Sequence, residues 1–161
     1  MRFDRNWQHD FRLYRQLEHE ENFSFVKNGV LFIGINIVGG RVVDKAEWTQ
    51  RHADDLDWVR RNLRRFSDHV SSMVLFGHAL PVERHNDFFV PFSEEAETFG
   101  KPVLYLHGDG HRWIHDRPFP AKNILRIQVD QGGTAPPLKV TVTDGNANPF
   151  QVDRRNGKPA R

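Results

Sequence analysis

The sequence predicts an α/β domain in which helices are layered on a mixed β-sheet, and three apolar runs carry that prediction. They have the length of buried strands and extend over residues 30–38, 73–76 and 103–106. Residues 45–67, between the first two runs, place apolar side chains at three- and four-residue spacing, which is typical of an amphipathic helix. A strand, a helix and a strand of these lengths form a crossover unit. We therefore expect the first two runs to be parallel neighbours.

The segment before the first apolar run contains two local signals. Residues 1–21 are predicted to form an amphipathic helix, because four large apolar side chains recur at helical spacing. These side chains are Trp7, Phe11, Tyr14 and Leu17. Residues 23–27 then alternate between apolar and polar, and Asn28-Gly29 follows directly. An Asn-Gly pair between two strand-like runs predicts a two-residue hairpin turn.

The second half of the chain is predicted to add a short helix and two strands. Residues 81–92 are interpreted as a loop, after which a helix begins with Ser93 as its N-cap and ends at Gly100. Residues 124–129 and 138–142 alternate and are joined by a linker rich in glycine and proline. They are predicted to pair antiparallel at the edge of the sheet.

Composition places the chain among ordinary globular proteins. Its 161 residues suit one domain, predicted over residues 1–152, with a flexible basic tail over residues 153–161. A formal net charge of +2 gives no strong case for nucleic acid or for a membrane surface as partner. The chain has no cysteine, which excludes disulfides and thiolate metal sites. Because no signal-peptide segment and no membrane-spanning run are visible, a soluble and, by default, cytoplasmic protein is expected.

Two of the predicted strands end in glycine-flanked histidines. One is followed by Gly77-His78 and the other by His107-Gly108-Asp109-Gly110-His111. The carboxyl ends of parallel neighbours lie side by side, so His78 is expected to approach Asp109 and His111. Two imidazoles and a carboxylate are a partial ligand set for Zn²⁺, Mn²⁺ or Fe. The alternative without metal, in which His78 caps a strand and His107 bonds a carbonyl, stays open at this point.

Three further groups of residues each allow a functional and a structural interpretation. Arg112 follows the last histidine directly and suits a phosphate oxygen, although a surface arginine is the commoner case. The segment His85-Asn86-Asp87 follows His78 and could face the same cleft, but a solvated loop is favoured. His52 lies on the apolar stripe of the long helix and is predicted to be a packed core histidine.

Four segments, in the correct order, resemble the calcineurin-like metallophosphoesterases. They are residues 29–39, 53–59, 74–81 and 102–111. The last segment ends in Gly108-Asp109-Gly110-His111, which is similar to the Gly-His-x-His motif that closes that family's metal site. The order of the strands after it also matches, so the resemblance covers about residues 20–152.

The resemblance implies a role for each motif residue. His78 would be a ligand of the second metal, and His111 a ligand of the first. Asp109 stands where the family has the first histidine of its closing pair. His107, just before the motif, would orient a ligand or donate a proton. In that family, metals activate a water that attacks phosphorus in line. The implied substrate is a small phosphate ester, and diesters are favoured because no dense cationic clamp for a dianion is evident.

The resemblance is confined to the C-terminal half of the family. The family's N-terminal Asp-x-His strand, its Gly-Asp turn and its Gly-Asn-His/Glu motif have no counterpart in this chain. The predicted fold is therefore a truncated version of that α/β sandwich with a reduced metal site. A homo-oligomer is expected, because half a sheet leaves an open edge and an uncovered apolar face. The alternative is a non-catalytic, oligomerising remnant or binding module of the same fold.

Overall fold

A computed structural model describes residues 8–143 and 147–155 of the chain. Within them, nine strands and two α-helices follow one another. These are β1 (Tyr14–Arg15), β2 (Phe23–Lys27), β3 (Val30–Gly34), α1 (Lys45–Phe66), β4 (Ser72–Phe76), α2 (Asn86–Phe99), β5 (Val103–His107), β6 (Ile114–Asp116), β7 (Ile124–Gln128), β8 (Lys139–Val142) and β9 (Phe150–Asp153). Single 3₁₀ turns occur at Ser67–His69 and Glu83–His85.

Seven of the strands form one mixed sheet in the order β1-β2-β3-β4-β5-β7-β6. The four central strands β3, β4, β5 and β7 are parallel, and the outer strands run antiparallel to their neighbours. This arrangement confirms the predicted α/β class and the predicted parallel neighbours. The hairpin between β2 and β3 is also confirmed. Asn28 and Gly29 have φ angles of 48° and 71°, as a two-residue turn with left-handed backbone requires.

The two faces of the sheet are covered by different kinds of structure. On one face, α1 and α2 pack over alternate strand residues, which include Leu31, Met73 and Tyr105. On the other face, the β8–β9 hairpin packs over the intervening residues, such as Val74 and Leu104. The hairpin therefore covers part of the apolar face on which the expected homo-oligomer was based, and a groove of about 290 Å³ stays open on this face beside Phe32, Phe76 and Val142.

The predicted helix over residues 1–21 is wrong for residues 8–21, and residues 1–7 lie outside the described part of the chain. This segment instead runs along the sheet edge, where Tyr14 pairs with Ser24. The Phe11 ring stacks on Phe25 with centroids 4.3 Å apart, but Leu17 is 94% exposed. A helical stripe would have buried Leu17 with the others, so the apolar spacing here reflects attachment to the edge of the sheet.

The predicted pairing of residues 124–129 with residues 138–142 is also wrong. β7 lies inside the sheet between β5 and β6, which explains why Ile124 and Ile127 are both fully buried although they point to opposite faces. β8 instead pairs with β9 in a separate two-stranded sheet. Its alternation turns Val140 and Val142 onto the large sheet. Both segments are strands as predicted, but the partner of each depends on distant parts of the chain.

The helix predicted from Ser93 begins earlier, at Asn86, so the loop predicted over residues 81–92 is largely helical. Phe88, Phe89 and Phe92 are buried against the sheet, and their three- and four-residue spacing extends the apolar face of α2 toward its start. The end of α2 is confirmed, because Gly100 caps it with a φ of 67°. Of the predicted basic tail, Asp153 belongs to β9, and residues 156–161 lie outside the described residues.

No helix within the described ranges combines the length and the apolar character that crossing a bilayer requires.

Candidate functional site

Three loops meet at the carboxyl ends of β3, β4 and β5, and backbone hydrogen bonds fix their positions. The parallel ladder continues past the strands, because Ile35 N–H donates to the Phe76 carbonyl at 3.0 Å and His78 N–H to the Ile37 carbonyl at 3.0 Å. Asp109 N–H in turn donates to the His78 carbonyl at 3.1 Å. The chain thus places His78 and Asp109 in adjacent loops, and the strand register sets their spacing.

The side chains of His78 and Asp109 approach each other at this edge, as the sequence predicted. His78 Nε2 lies 3.6 Å from Asp109 Oδ1. The imidazole is 56% exposed and the carboxylate 21% exposed. Two donors that bind one tetrahedral cation at about 2.1 Å each are about 3.4 Å apart. The donor types and their separation therefore fit two positions around a single metal ion.

Asp109 is held against the loop that follows β3. A β-carbon added to Gly39 would overlap the Asp109 carboxylate. Only a glycine at position 39 lets the backbone approach the carboxylate so closely. Gly110 has a similar relation to Gln128, whose side-chain amide occupies the space that a β-carbon would need. The Gln128 amide also donates to the Arg112 carbonyl at 2.6 Å. The glycines of the turn thus serve packing as well as the bend in the backbone.

His111 and Arg112, the other predicted site residues of this turn, are both exposed. His111 has a φ of 54°, and its N–H donates to the Gly108 carbonyl at 3.3 Å, which closes a tight turn. Left-handed backbone is uncommon outside glycine. Among the described residues, no three histidine, aspartate or glutamate side chains are grouped closely enough to hold a metal ion. The structure brings together His78 and Asp109 of the predicted ligand set, but it does not add His111.

His107 is buried behind this pair. Its ring stacks on Tyr105 with centroids 4.9 Å apart, and neither ring nitrogen has a hydrogen-bond partner. Burial lowers the pKa of His107 to about 4, and the Arg126 guanidinium contributes in the same direction. His107 is therefore a neutral imidazole at pH 7.

A second imidazole cluster lies inside the protein, between α1 and α2. Asp87 Oδ1 lies 2.5 Å from His52 Nδ1, and His52 Nε2 lies 3.3 Å from His85 Nδ1. His52 is a core residue, as predicted. His85 was predicted to be solvated, and this is wrong, because its side chain is fully buried against the Trp48 ring. His85 Nε2 has no hydrogen-bond partner. Burial lowers the pKa of His85 to about 4.

A buried carboxyl group lies near the same edge of the sheet. Asp55 of α1 is 1% exposed; its Oδ1 accepts a hydrogen bond of 2.7 Å from the Asn22 amide, and its Oδ2 has no partner. Burial raises the pKa of Asp55 from 3.8 to about 7, because the charged carboxylate is poorly solvated there. The Asn22 side-chain oxygen also accepts from the backbone N–H of Asn36 at 2.7 Å. Asp55 and Asn22 thus support the loop that faces His78.

A small cleft of about 240 Å³ opens beside His78, between the ends of β2, β3 and β4. Its polar lining consists of Glu21, Asn36 and His78, and the Asn36 amide donates to Glu21 Oε1 at 3.0 Å. The cleft can receive a group of small size next to the His78 imidazole. It is open rather than enclosed, so a reacting group there would remain in contact with water.

Comparisons of the chain with protein-family models, with curated proteins and with solved structures gave no match. The resemblance to metallophosphoesterases therefore depends on the sequence motifs described above.

Sequence reasoning missed two features of this region, Asp55 and the buried His85. A signal for His85 was present, because Phe88, Phe89 and Phe92 continue a helical stripe that includes position 85. A signal for Asp55 was weaker. It lies three residues after His52 on α1 and therefore shares the buried face of that helix.

Proposed function

We propose that this chain is a metal-dependent hydrolase of phosphate esters whose cation is held between His78 and Asp109. The observation that supports the proposal is the 3.6 Å separation of His78 Nε2 and Asp109 Oδ1 at the carboxyl ends of two parallel strands. Ligands in open α/β sheets bind at that edge. The pair is also open to solvent and adjoins a cleft, so a substrate can reach it.

The donor set favours a cation that also takes oxygen ligands from water and substrate. One imidazole and one carboxylate suit Mn²⁺, Zn²⁺ or Fe, and water or substrate oxygens would complete the coordination of any of them. Such a cation, when bound, supplies a water of lowered pKa and neutralises charge on a phosphate group. With two protein ligands, the cation would be bound weakly and would be retained best together with a phosphate ester.

The other residues of the edge have supporting roles in this proposal. Arg112 is an exposed guanidinium five residues after His107, the buried end of β5, and would contact a phosphate oxygen. His107 is neutral at pH 7 and lies behind the turn that carries Asp109. There it would orient Asp109 or donate a proton. His111 lies on the same turn, but it is exposed and does not form a three-ligand group with the pair among the described residues. Diesters are favoured over monoesters, because Arg112 alone does not form a clamp for a dianion.

Hydrolysis of bis-p-nitrophenyl phosphate with added Mn²⁺ or Zn²⁺ tests the proposal. We expect chelator-sensitive activity that falls by about 100-fold in His78→Ala and in Asp109→Asn, since each removes a direct ligand of the cation. His69→Ala and Asp68→Asn are matched controls, because both residues are exposed and lie in the turn after α1. Equal activity in site and control variants would contradict the proposal, as would activity that survives chelation.

The second candidate is a non-catalytic binding module built on the same fold. The observation in its favour is that no cluster of three potential metal ligands occurs among the described residues. This candidate predicts no hydrolysis under any metal condition, so the same assay separates the two.

A further inference from the structure

A cavity lined by described residues lies at the opposite end of the sheet from His78. It has a volume of about 680 Å³, is partly open to solvent, and lies between the starts of β5 and β7 and the part of the β8–β9 hairpin where β9 begins. Ligand pockets commonly have volumes of about 300 to 1,000 Å³. The cavity is therefore large enough for a small organic molecule, and it shares no residue with the cleft beside His78.

The charged side chains in the described lining of this cavity are basic. Among the described residues, His115, Arg117 and Lys122 line it, and no aspartate or glutamate does. The nearest carboxylate in the sequence, Asp116, is engaged by the Arg126 guanidinium at 2.7 and 2.5 Å. Arg117 donates to the Lys122 backbone carbonyl at 2.8 Å, which leaves the rest of its guanidinium available. The described lining thus contributes two permanent positive charges and no carboxylate.

The remaining lining is apolar or carries amide groups. Leu125 projects from β7 and Phe150 from β9, with Pro102 and Pro149 beside them. Leu125 is only 8% exposed, and both Leu125 and Phe150 belong to the apolar layer between the sheet and the hairpin. Cations at the rim and an apolar floor match a ligand that combines an anionic group with an apolar body.

The end of α2 opposes this charge only slightly. Gly100, which caps α2, lines the cavity, and the carboxyl end of a helix carries about half a negative charge. The Asn123 amide donates to the carbonyls of Ala96 and Lys101 at 2.6 and 2.8 Å, and thereby satisfies two acceptors at that end. Arg117 and Lys122 each contribute a full positive charge to the same lining.

We propose that this cavity binds a small organic anion. Arg117 and Lys122 hold its phosphate or carboxylate group, and Leu125 and Phe150 contact its apolar body. The site is independent of the proposed hydrolase activity, because it is at the amino ends of the strands and requires no metal.

Fluorescence titration of the full chain with 8-anilinonaphthalene-1-sulfonate, an anion with an aromatic body, tests this site at low salt and without metal. We expect saturable binding of one dye per chain that weakens by about twofold to fivefold in Lys122→Ala, as loss of one exposed charge pair predicts. The double variant Arg117→Ala/Lys122→Ala is expected to weaken it by about tenfold, if the two charges act independently. Lys139→Ala is the matched control, because Lys139 is exposed on β8 and does not line the cavity.

Lys122→Ala keeps the backbone carbonyl that Arg117 binds, so this variant retains the local hydrogen bond. Competition by phenyl phosphate and by benzoate then distinguishes the two possible anionic groups, and displacement by either supports the site. Three outcomes would overturn it: no saturable binding, equal affinities of Lys122→Ala and Lys139→Ala, or failure of both competitors.

Discussion

His78 and Asp109 meet at the surface, whereas His52 and His85 meet in the interior, and burial gives the same kind of side chain opposite roles in the two places. The imidazole and the carboxylate of the surface pair are both in contact with solvent, so a ligand from solution can reach them. The interior pair is packed by Trp48 and connected to Asp87, so its nitrogens serve the packing of α1 against α2. The role of each histidine therefore depends on whether its position in the fold is buried or exposed, and less on its neighbours in sequence.

The largest expected effect concerns the stability of the interior cluster. His52→Ala removes a buried ring together with the partners of Asp87 and His85, so we expect a loss of about 2 to 4 kcal/mol in the free energy of unfolding. Urea denaturation at pH 7 measures it. His78→Ala is the comparison variant. A loss below 1 kcal/mol in His52→Ala would show that the cluster is not a packing element.

A second prediction uses the buried carboxyl of Asp55. Its folded pKa of about 7 exceeds its unfolded value of 3.8, so the folded state retains the proton while the unfolded state releases it. The contribution of Asp55 to stability is therefore complete below pH 4 and is lost as pH rises toward 7. Asp55→Asn should be more stable than the natural protein at pH 8 by about 1 to 2 kcal/mol and should lack this component of the pH dependence. Urea denaturation midpoints measured over a series of pH values check both expectations. If the stability of Asp55→Asn depends on pH as that of the natural protein does, the pH dependence does not come from Asp55.

A smaller effect is expected at His107. Its folded pKa of about 4 is below its usual value of 6.5, so the unfolded state takes up a proton first as pH falls, and stability is lost between pH 6.5 and 4. His107→Leu replaces two unpaired buried nitrogens with apolar atoms, and we expect a change at pH 7 within about 1 kcal/mol, in either direction. The variant should also lose less stability at pH 4.5 than the natural protein. Thermal unfolding at both pH values measures this, and a large loss at pH 7 would mean that the nitrogens are bonded.

The smallest expected effect belongs to the surface pair. His78→Ala should change the free energy of unfolding by no more than about 0.5 kcal/mol, since the imidazole is 56% exposed. Urea denaturation of this variant beside His69→Ala provides the measurement. A loss above 1 kcal/mol would indicate that His78 supports the fold, which would weaken its interpretation as a ligand.

The proximity of His78 and Asp109 was predictable because the apolar runs and the helix between the first two of them already indicate parallel neighbouring strands. A crossover of the length found between residues 34 and 72 makes β3 and β4 parallel neighbours, and the ladder then carries each following loop to one edge. The orientation of His111 was not predictable in this way. Its side chain depends on a left-handed backbone angle that sequence spacing does not encode. The pairing of β8 with β9 and the burial of His85 depend on contacts between distant segments, which local patterns do not specify.

Equilibrium dialysis of the purified chain against Mn²⁺ tests the central claim most directly, because it measures the cation at the His78–Asp109 pair without a substrate or an activity. We predict one Mn²⁺ per chain at saturation, and binding that is about tenfold weaker or more in Asp109→Asn, since the variant loses the anionic ligand. Asp68→Asn, the control, should bind as the natural protein does. Absence of bound Mn²⁺ at millimolar concentration, or equal binding by Asp109→Asn and the natural protein, would contradict the account.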